Sequence, residues 1–300
     1  RDLHSFPTRR PADLTGGNGQ LGCALREACK GSPDRYVFTD INSLPGEETV
    51  FLDVTNPGAV DIVCESEKAD VIVNCAGYTN VDAAEGDPGA AMLLNGDVPR
   101  ILAGVCRSRR ATLIHISTDY IFSGEAFAPI REDAAPAPAN VYGASKLAGE
   151  EAVRQLLEKF FIVRISWVFG YNGKNFIRTM LKLAETHDKL TVVDDQVGSP
   201  TYTRDLAVLL SAMVQSEKYG IYHATNEGGY ISWYDFCVEI YRQYGLTTKI
   251  IPVSTQEYGL SKAARPFNSR LDKSKLVRMG FEPLPAWQAA VRRYLQEAGL

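Results

Sequence analysis

Three side chains near the middle of the chain could pass a proton to or from a carbonyl. Tyr142-Gly-Ala-Ser-Lys146 places a phenol and an ammonium at i and i+4, on one face of any helix that carries them. Ahead of them, Leu113-Ile-His-Ile-Ser117-Thr118-Asp119 is an apolar, β-branched run that ends in hydroxyls. A phenol with a pKa of about 10 is a weak proton donor at neutral pH. Lowering that value by three units takes about 4 kcal/mol of differential interaction, part of which a neighbouring ammonium can supply. Thr118 would then hydrogen-bond the carbonyl and Tyr142 would donate the proton. The spacing alone selects nothing, because Tyr258 and Lys262 repeat it. That second pair is read as structural. The plain reading of Tyr142 and Lys146 is an exposed tyrosine and lysine on an ordinary helix.

A hydride donor is needed beside such a trio, and the N-terminal region offers a place for one. Thr15-Gly16-Gly17-Asn18-Gly19-Gln20-Leu21-Gly22 contains GxxGxxG before a helical pattern. Glycines permit the tight turn and close approach to a pyrophosphate, and the following helix offers its N-terminal N–H groups. Gly16, Asn18, Gly19, Gln20, Leu21 and Gly22 are the cradle candidates. Asp40 ends the next apolar run, near the spacing of a carboxylate that accepts from the adenosine ribose. NAD(H) is therefore expected to be accepted, and no arginine directly follows Asp40 to claim a 2′-phosphate; NADP(H) stays open. Asp53-Val54 and Ala76-Gly77-Tyr78 follow later apolar runs and would flank the cofactor at the strand ends. Lys146 would hold the nicotinamide ribose. A glycine-rich turn without ligand and a solvated loop acid are the plain alternatives.

The elements that must position these residues alternate. Tyr36–Thr39, Val71–Cys75, Thr112–Ile116 and Phe161–Ile165 read as strands; Cys23–Ala28, Pro57–Glu67, Ala90–Ser108 and Ala144–Lys159 read as helices. This predicts an α/β fold, a Rossmann-like doubly wound parallel sheet with a smaller α+β substrate-binding lobe. Residues 14–170, with about 201–216, are expected to form the dinucleotide-binding domain, and 171–200 with 217–300 the lobe. One place does not fit. The first, central strand should precede the glycine loop, where Arg9-Arg10-Pro11-Ala12-Asp13-Leu14 makes a poor strand. Residues 1–13 therefore read as a non-native leader, with the first strand missing.

Composition limits the function. The chain has 300 residues, 45% apolar and 23% charged, with a net charge of −4. That is ordinary for a globular protein and gives no basic footprint for nucleic acid. No apolar stretch is long enough to span a membrane, and the six cysteines form no CxxC pair. Four histidines without a Cys/His cluster predict no metal site. The expected setting is cytoplasmic, with reduced thiols.

Together these residues resemble the extended short-chain dehydrogenases, and within them the dTDP-4-dehydrorhamnose reductase family. The resemblance rests on Ser117-Thr118-Asp119-Tyr120-Ile121-Phe122, Tyr142-Gly-Ala-Ser-Lys146-Leu-Ala-Gly-Glu150, Arg164-Ile-Ser-Trp167-Val-Phe and Asn175-Phe176. Asp195-Gln196-Val-Gly198-Ser-Pro200-Thr201 and Arg265-Pro266-Phe-Asn268-Ser269-Arg270-Leu271 extend it, so that it runs from about Thr15 to Leu295. It implies NADPH- or NADH-dependent reduction of the 4-keto group of dTDP-6-deoxy-L-lyxo-4-hexulose to dTDP-L-rhamnose, with Thr118, Tyr142 and Lys146 catalytic. Thr118, Asp119, Trp167 and Asn175 are the implied sugar contacts; Arg265 and Arg270 are candidates for the diphosphate, or for surface salt bridges. Some members dimerise through magnesium held by carboxylates, one of them two residues after the last loop glycine. Ala24 stands there, so magnesium is not expected, and the chain is read as a monomer or weak homodimer. Two other readings stay open: a sugar-nucleotide epimerase or dehydratase of the same fold, and a non-catalytic dinucleotide-binding regulatory subunit.

Overall fold

The computed structural model describes residues 11–299. The first half is built mainly of strand–helix units. β1 (Ala12–Thr15) leads through the glycine loop to α1 (Gln20–Cys29). β2 (Tyr36–Asp40), β3 (Val50–Phe51), α2 (Pro57–Glu67) and β4 (Val71–Asn74) follow. Two short helices, α3 (Val81–Ala84) and α4 (Pro88–Met92), precede α5 (Val98–Arg109) and β5 (Thr112–Thr118). Next come α6 (Val141–Leu156), β6 (Phe160–Ile165) and β7 (Val168–Phe169). The second half holds α7 (Phe176–Ala184), β8 (Lys189–Val193), β9 (Val197–Gly198), β10 (Thr201–Tyr202), α8 (Thr203–Val214) and β11 (Gly220–His223). It continues through β12 (Ile231–Ser232), α9 (Trp233–Tyr244), β13 (Lys249–Val253), α10 (Thr255–Tyr258), β14 (Asn268–Ser269), α11 (Ser274–Arg278) and α12 (Trp287–Glu297).

Seven parallel strands make the main sheet, in the order β11-β6-β5-β4-β1-β2-β3. The direction of winding reverses at β1 and β4, and in open α/β sheets a ligand crevice lies outside the carboxyl ends at such a point. Helices cover both faces. Leu14, Val73 and Phe161 pack beneath α1 and α8 through Leu21, Leu25, Leu206 and Leu210. On the other face Ile72, Leu113 and Ile162 meet Val60 of α2, Leu102 of α5 and Val153 of α6. The buried Arg164–Glu150 pair, 2.7 Å apart, ties β6 to α6. No helix among the described residues is long and apolar enough to cross a membrane.

The first strand is present, contrary to the sequence reading. Ala12–Thr15 pairs with β2 on one side and β4 on the other, and all four residues are buried. Pro11 sits just before the strand, where its missing N–H is not needed. Its carbonyl accepts from the N–H groups of Asp70, at 2.9 Å, and Val71, at 3.2 Å. Two flanking strands supply the backbone bonds that the local residue types do not favour. Residues 11–13 therefore belong to the fold; residues 1–10 of the expected leader lie outside the described residues.

The lobe boundary also differs. β11 is the edge strand of the main sheet, paired with β6, although 217–300 was assigned to the lobe. Leu276, Phe281 and Leu284 belong to the same core as Leu14. The lobe proper has its own core of Phe169, Tyr202, Phe236, Tyr294 and Trp287. It also carries the parallel pair β8–β13 and the small sheet β12-β9-β14.

Candidate active site

The glycine loop sits at the switch point. Gly16 has φ +69°, and a Cβ there would lie 2.7 Å from the Ala76 nitrogen. Only glycine lets the loop pass so close to the end of β4. Gly19 precedes α1, no side chain caps that helix, and Gln20, Leu21 and Gly22 form its first turn. Its free N–H groups are suited to an anion. Asp40, at the end of β2, accepts from the N–H of Asn18 at 3.1 Å and of Asn42 at 2.9 Å. Its carboxylate is thereby fixed beside the loop. This cradle fits a dinucleotide pyrophosphate and its adenosine ribose. Asp53 lies past the end of β3, where it accepts from Thr55, and Val54 is buried behind it.

Sequence reasoning missed the support beneath the loop. The Arg26 guanidinium lies 4.2 Å over the Phe38 ring. It donates to Gly17 O at 3.1 Å, Asn18 Oδ1 at 2.8 Å and Thr49 Oγ1 at 2.9 Å. It also missed Asn95, which lies in a widened helical turn between α4 and α5. Such turns collect at functional sites. Asn95 Oδ1 accepts the Tyr78 N–H at 2.9 Å, and its amide donates to Tyr78 O and Ser145 Oγ, each at 3.0 Å. The Ala76-Gly77-Tyr78 stretch is thus pinned to α6, one residue from Lys146. An asparagine inside a helical pattern was the only signal available.

α6 brings the proton-moving groups together. Asn140 caps it by accepting the Gly143 N–H at 2.7 Å. A Cβ on Gly143 would come within 2.1 Å of Tyr120 O, so the helix start lies directly on the chain that leaves β5. Tyr142 consequently reaches Thr118, with which it shares a hydrogen bond, and meets Tyr120 edge-to-face at 5.5 Å. Lys146 Nζ donates to Ile116 O at 2.6 Å. Burial lowers the Lys146 ammonium to about 8.

Burial pushes the Tyr142 phenol up, and the Thr118 hydrogen bond opposes this. The Lys146 ammonium is turned to the Ile116 carbonyl. A phenol held neutral is the form that can give a proton to a developing alkoxide. Asp119 departs from expectation. It is 1% exposed, and its two oxygens accept from the Thr118 hydroxyl, at 3.0 Å, and from the Ser269 hydroxyl. Burial raises its carboxyl to about 6.

Across the crevice, Trp167 follows β6 with φ +50°, a strained conformation for a bulky side chain. Its ring stacks on Trp233 with centroids 3.8 Å apart. Trp233, another residue missed in the sequence, lines a cavity of about 300 Å³ with Phe176, Tyr120, Asp82 and Arg265. Arg265 donates to Tyr120 Oη at 3.0 Å and to Asp82 Oδ2 at 2.6 Å. Tyr258 stands on the rim of that cavity. Two expected contacts are placed elsewhere. Asn175 caps α7, and its amide donates to Gly170 O at 2.7 Å and to Tyr294 Oη at 3.2 Å. Arg270 turns back to Asn268 Oδ1 at 3.0 Å. Ala24 is on the buried face of α1, packed in the core.

Known proteins match this arrangement over nearly the whole chain. The family model described as the RmlD substrate binding domain matches residues 13–299. A dTDP-4-dehydrorhamnose reductase of Streptomyces griseus is 42% identical over 80% of this chain and 81% of its own. The crystal structure of a dTDP-4-dehydrorhamnose reductase from Clostridium acetobutylicum superposes with a TM-score of 0.90 at 38% identity, covering 97% of this chain and 100% of the other. That of a Bacillus anthracis dTDP-4-dehydrorhamnose reductase in complex with NADP does so at 0.88 and 37% identity, with the same coverage.

Proposed function

The chain belongs to the RmlD substrate binding domain family, and from that membership we propose that it reduces the 4-keto group of dTDP-6-deoxy-L-lyxo-4-hexulose to give dTDP-L-rhamnose, using NADPH or NADH. The observation that carries the proposal is that α6 lays Tyr142 against Thr118 and Lys146 against Ile116 O, both at the end of β5.

When bound, the reduced nicotinamide supplies the hydride. The protein's own groups do the rest. The first turn of α1 receives the pyrophosphate and Asp40 the adenosine ribose hydroxyls. Lys146, anchored to β5 through Ile116 O, would hold the nicotinamide ribose. Tyr142, neutral in its buried setting, gives its proton to the carbonyl oxygen as charge develops there. The stacked Trp167 and Trp233 would form an apolar wall for the deoxysugar, and Arg265, which lines the same cavity as Trp233, would take the diphosphate.

Loss of NADH or NADPH absorbance on mixing with the keto-sugar nucleotide tests this. Substrate-dependent oxidation is expected, with Tyr142→Phe lowering kcat by about 100-fold or more while dinucleotide binding persists. Folded wild-type protein that binds dinucleotide but oxidises none of it would remove the reductase reading and leave the binding-subunit one.

A further inference from the structure

Thr118 has one hydroxyl hydrogen, and its direction depends on Asp119. A hydroxyl offers one donor and two acceptor sites. The Thr118 hydrogen goes to Asp119 Oδ1 at 3.0 Å, and its oxygen accepts the Tyr120 N–H at 3.3 Å and shares a bond with Tyr142. With Asp119 ionised, Thr118 is saturated and has nothing to donate toward Tyr142. With Asp119 protonated, the carboxyl donates to Thr118, whose own hydrogen is released toward the phenol.

The surroundings of Asp119 favour the acid form. Its other oxygen takes the Ser269 hydroxyl of β14, and the backbone N–H groups of Asp119 and Tyr120 add weaker stabilisation of the carboxylate that burial outweighs. The groups packed around it are Tyr120 on its own stretch, Tyr142 on α6 and Ser269. The nearest cations are turned elsewhere: Arg265 to Tyr120 Oη and Asp82, Lys146 to Ile116 O. A fully buried carboxylate with no cationic partner is costly, and burial raises this one to about 6.

We propose that Asp119, as a carboxylic acid, is the proton source behind Tyr142, acting through the Thr118 hydroxyl. The inference rests on the reductase reading. As hydride adds to the carbonyl carbon, the C=O π pair moves to oxygen and takes the Tyr142 proton. The phenolate takes the Thr118 proton, and Thr118 takes the Asp119 proton. The balance is one carbonyl, one hydride and one proton giving one alcohol, with Asp119 left as carboxylate. Solvent restores its proton after product leaves.

The test is the pH dependence of kcat at saturating substrates, with a proton inventory in H2O/D2O mixtures. Wild type should lose rate as pH rises through the Asp119 pKa, with a second fall near that of Lys146. Its inventory should be curved, with more than one proton in flight. Asp119→Asn should slow turnover about tenfold or more, abolish the lower fall and give a linear inventory. Ser269→Ala removes a bond that stabilises the carboxylate, so it should move the lower fall to higher pH; it decides the matter if the asparagine variant fails to fold. In dinucleotide-free protein, the wild-type minus Asp119→Asn infrared difference should contain a protonated-carboxyl band that titrates near 6, the buried Asp13 carboxyl being common to both proteins and cancelling. A lower fall unchanged in either variant, or a linear wild-type inventory, overturns the relay while leaving the reductase intact. Absence of any wild-type turnover defeats the reductase reading instead, and the infrared titration then reports alone on whether Asp119 is an acid.

Discussion

Replacing Asp13 with valine should stabilise the protein, and by more at alkaline than at acid pH. Asp13 lies in the central strand with 1% exposure, and one carboxyl oxygen is buried without a hydrogen-bond partner. Its side chain faces α2, where the Cys64 thiol lies at 4.0 Å; a Thr39 hydrogen bond partly stabilises the carboxylate, and Glu67 adds repulsion. Burial raises it from the ordinary 3.8 to about 7. The sign follows from proton counting. Between these two values the folded protein binds more protons than the unfolded chain, so stability falls as pH rises through that window. The cost is absent below the unfolded value and complete above the folded one. At about 1.36 kcal/mol per pK unit it reaches about 4 kcal/mol by pH 8 and about half that at pH 5. Valine carries no such cost. It leaves the Thr39 hydroxyl bonded to Leu14 O at 3.2 Å, so no strong polar group is orphaned nearby. In a domain of this size each kcal/mol moves the melting temperature by roughly 2–4 °C. Calorimetry of both proteins should show a gap on the order of 10 °C at pH 8 that narrows by about half at pH 5. A gap independent of pH would mean that Asp13 has the same pKa in the folded and unfolded chain, and one still widening steeply above pH 8 that it never ionises in the folded state. A less stable variant would refute the reasoning altogether, because it would show the carboxyl to be favourably bonded.

Two further outcomes follow from the crevice. Asp40 is fixed at the ribose end of the cradle, and Arg26, the arginine beneath it, is fully engaged with the loop. Steady-state kinetics should therefore favour NADH over NADPH, and Asp40→Ser should lower kcat/KM for NADH about 10- to 100-fold while narrowing the preference; equal use of both cofactors by wild type would contradict this. Trp233→Leu removes the ring on which Trp167 stacks, a contribution of about 0.5–1.5 kcal/mol beyond area. The KM for the sugar nucleotide should rise several-fold with NADH affinity unchanged, and an unaltered KM would reduce the pair to core packing.

What the sequence made legible follows from which interactions are local. Strands buried on both faces read as continuous apolar runs, so Val71–Asn74, Thr112–Thr118 and Phe160–Ile165 could be placed from composition alone. Tyr142 and Lys146 could be paired because a helix converts spacing into a shared face. β1 was illegible for the opposite reason. Its strand character comes from β2 and β4, with which it pairs across more than twenty residues of sequence, and Asp13 and Thr15 erase its apolar signature. Trp233, Asp82 and Arg26 were missed in the same way, since each matters through a partner that only the fold supplies: Trp167, Arg265 and the glycine loop. Asp119 is the instructive case. Its position beside Thr118 was visible, and a sugar contact was the natural expectation. Which way it faces was decided by Ser269, 150 residues on, whose hydroxyl turns the carboxylate inward. A carboxylate facing the sugar would be a binding group, whereas one enclosed between two hydroxyls behind the reacting tyrosine is a store for a proton. The same residue types thus specify different chemistry depending on a contact that no local pattern encodes.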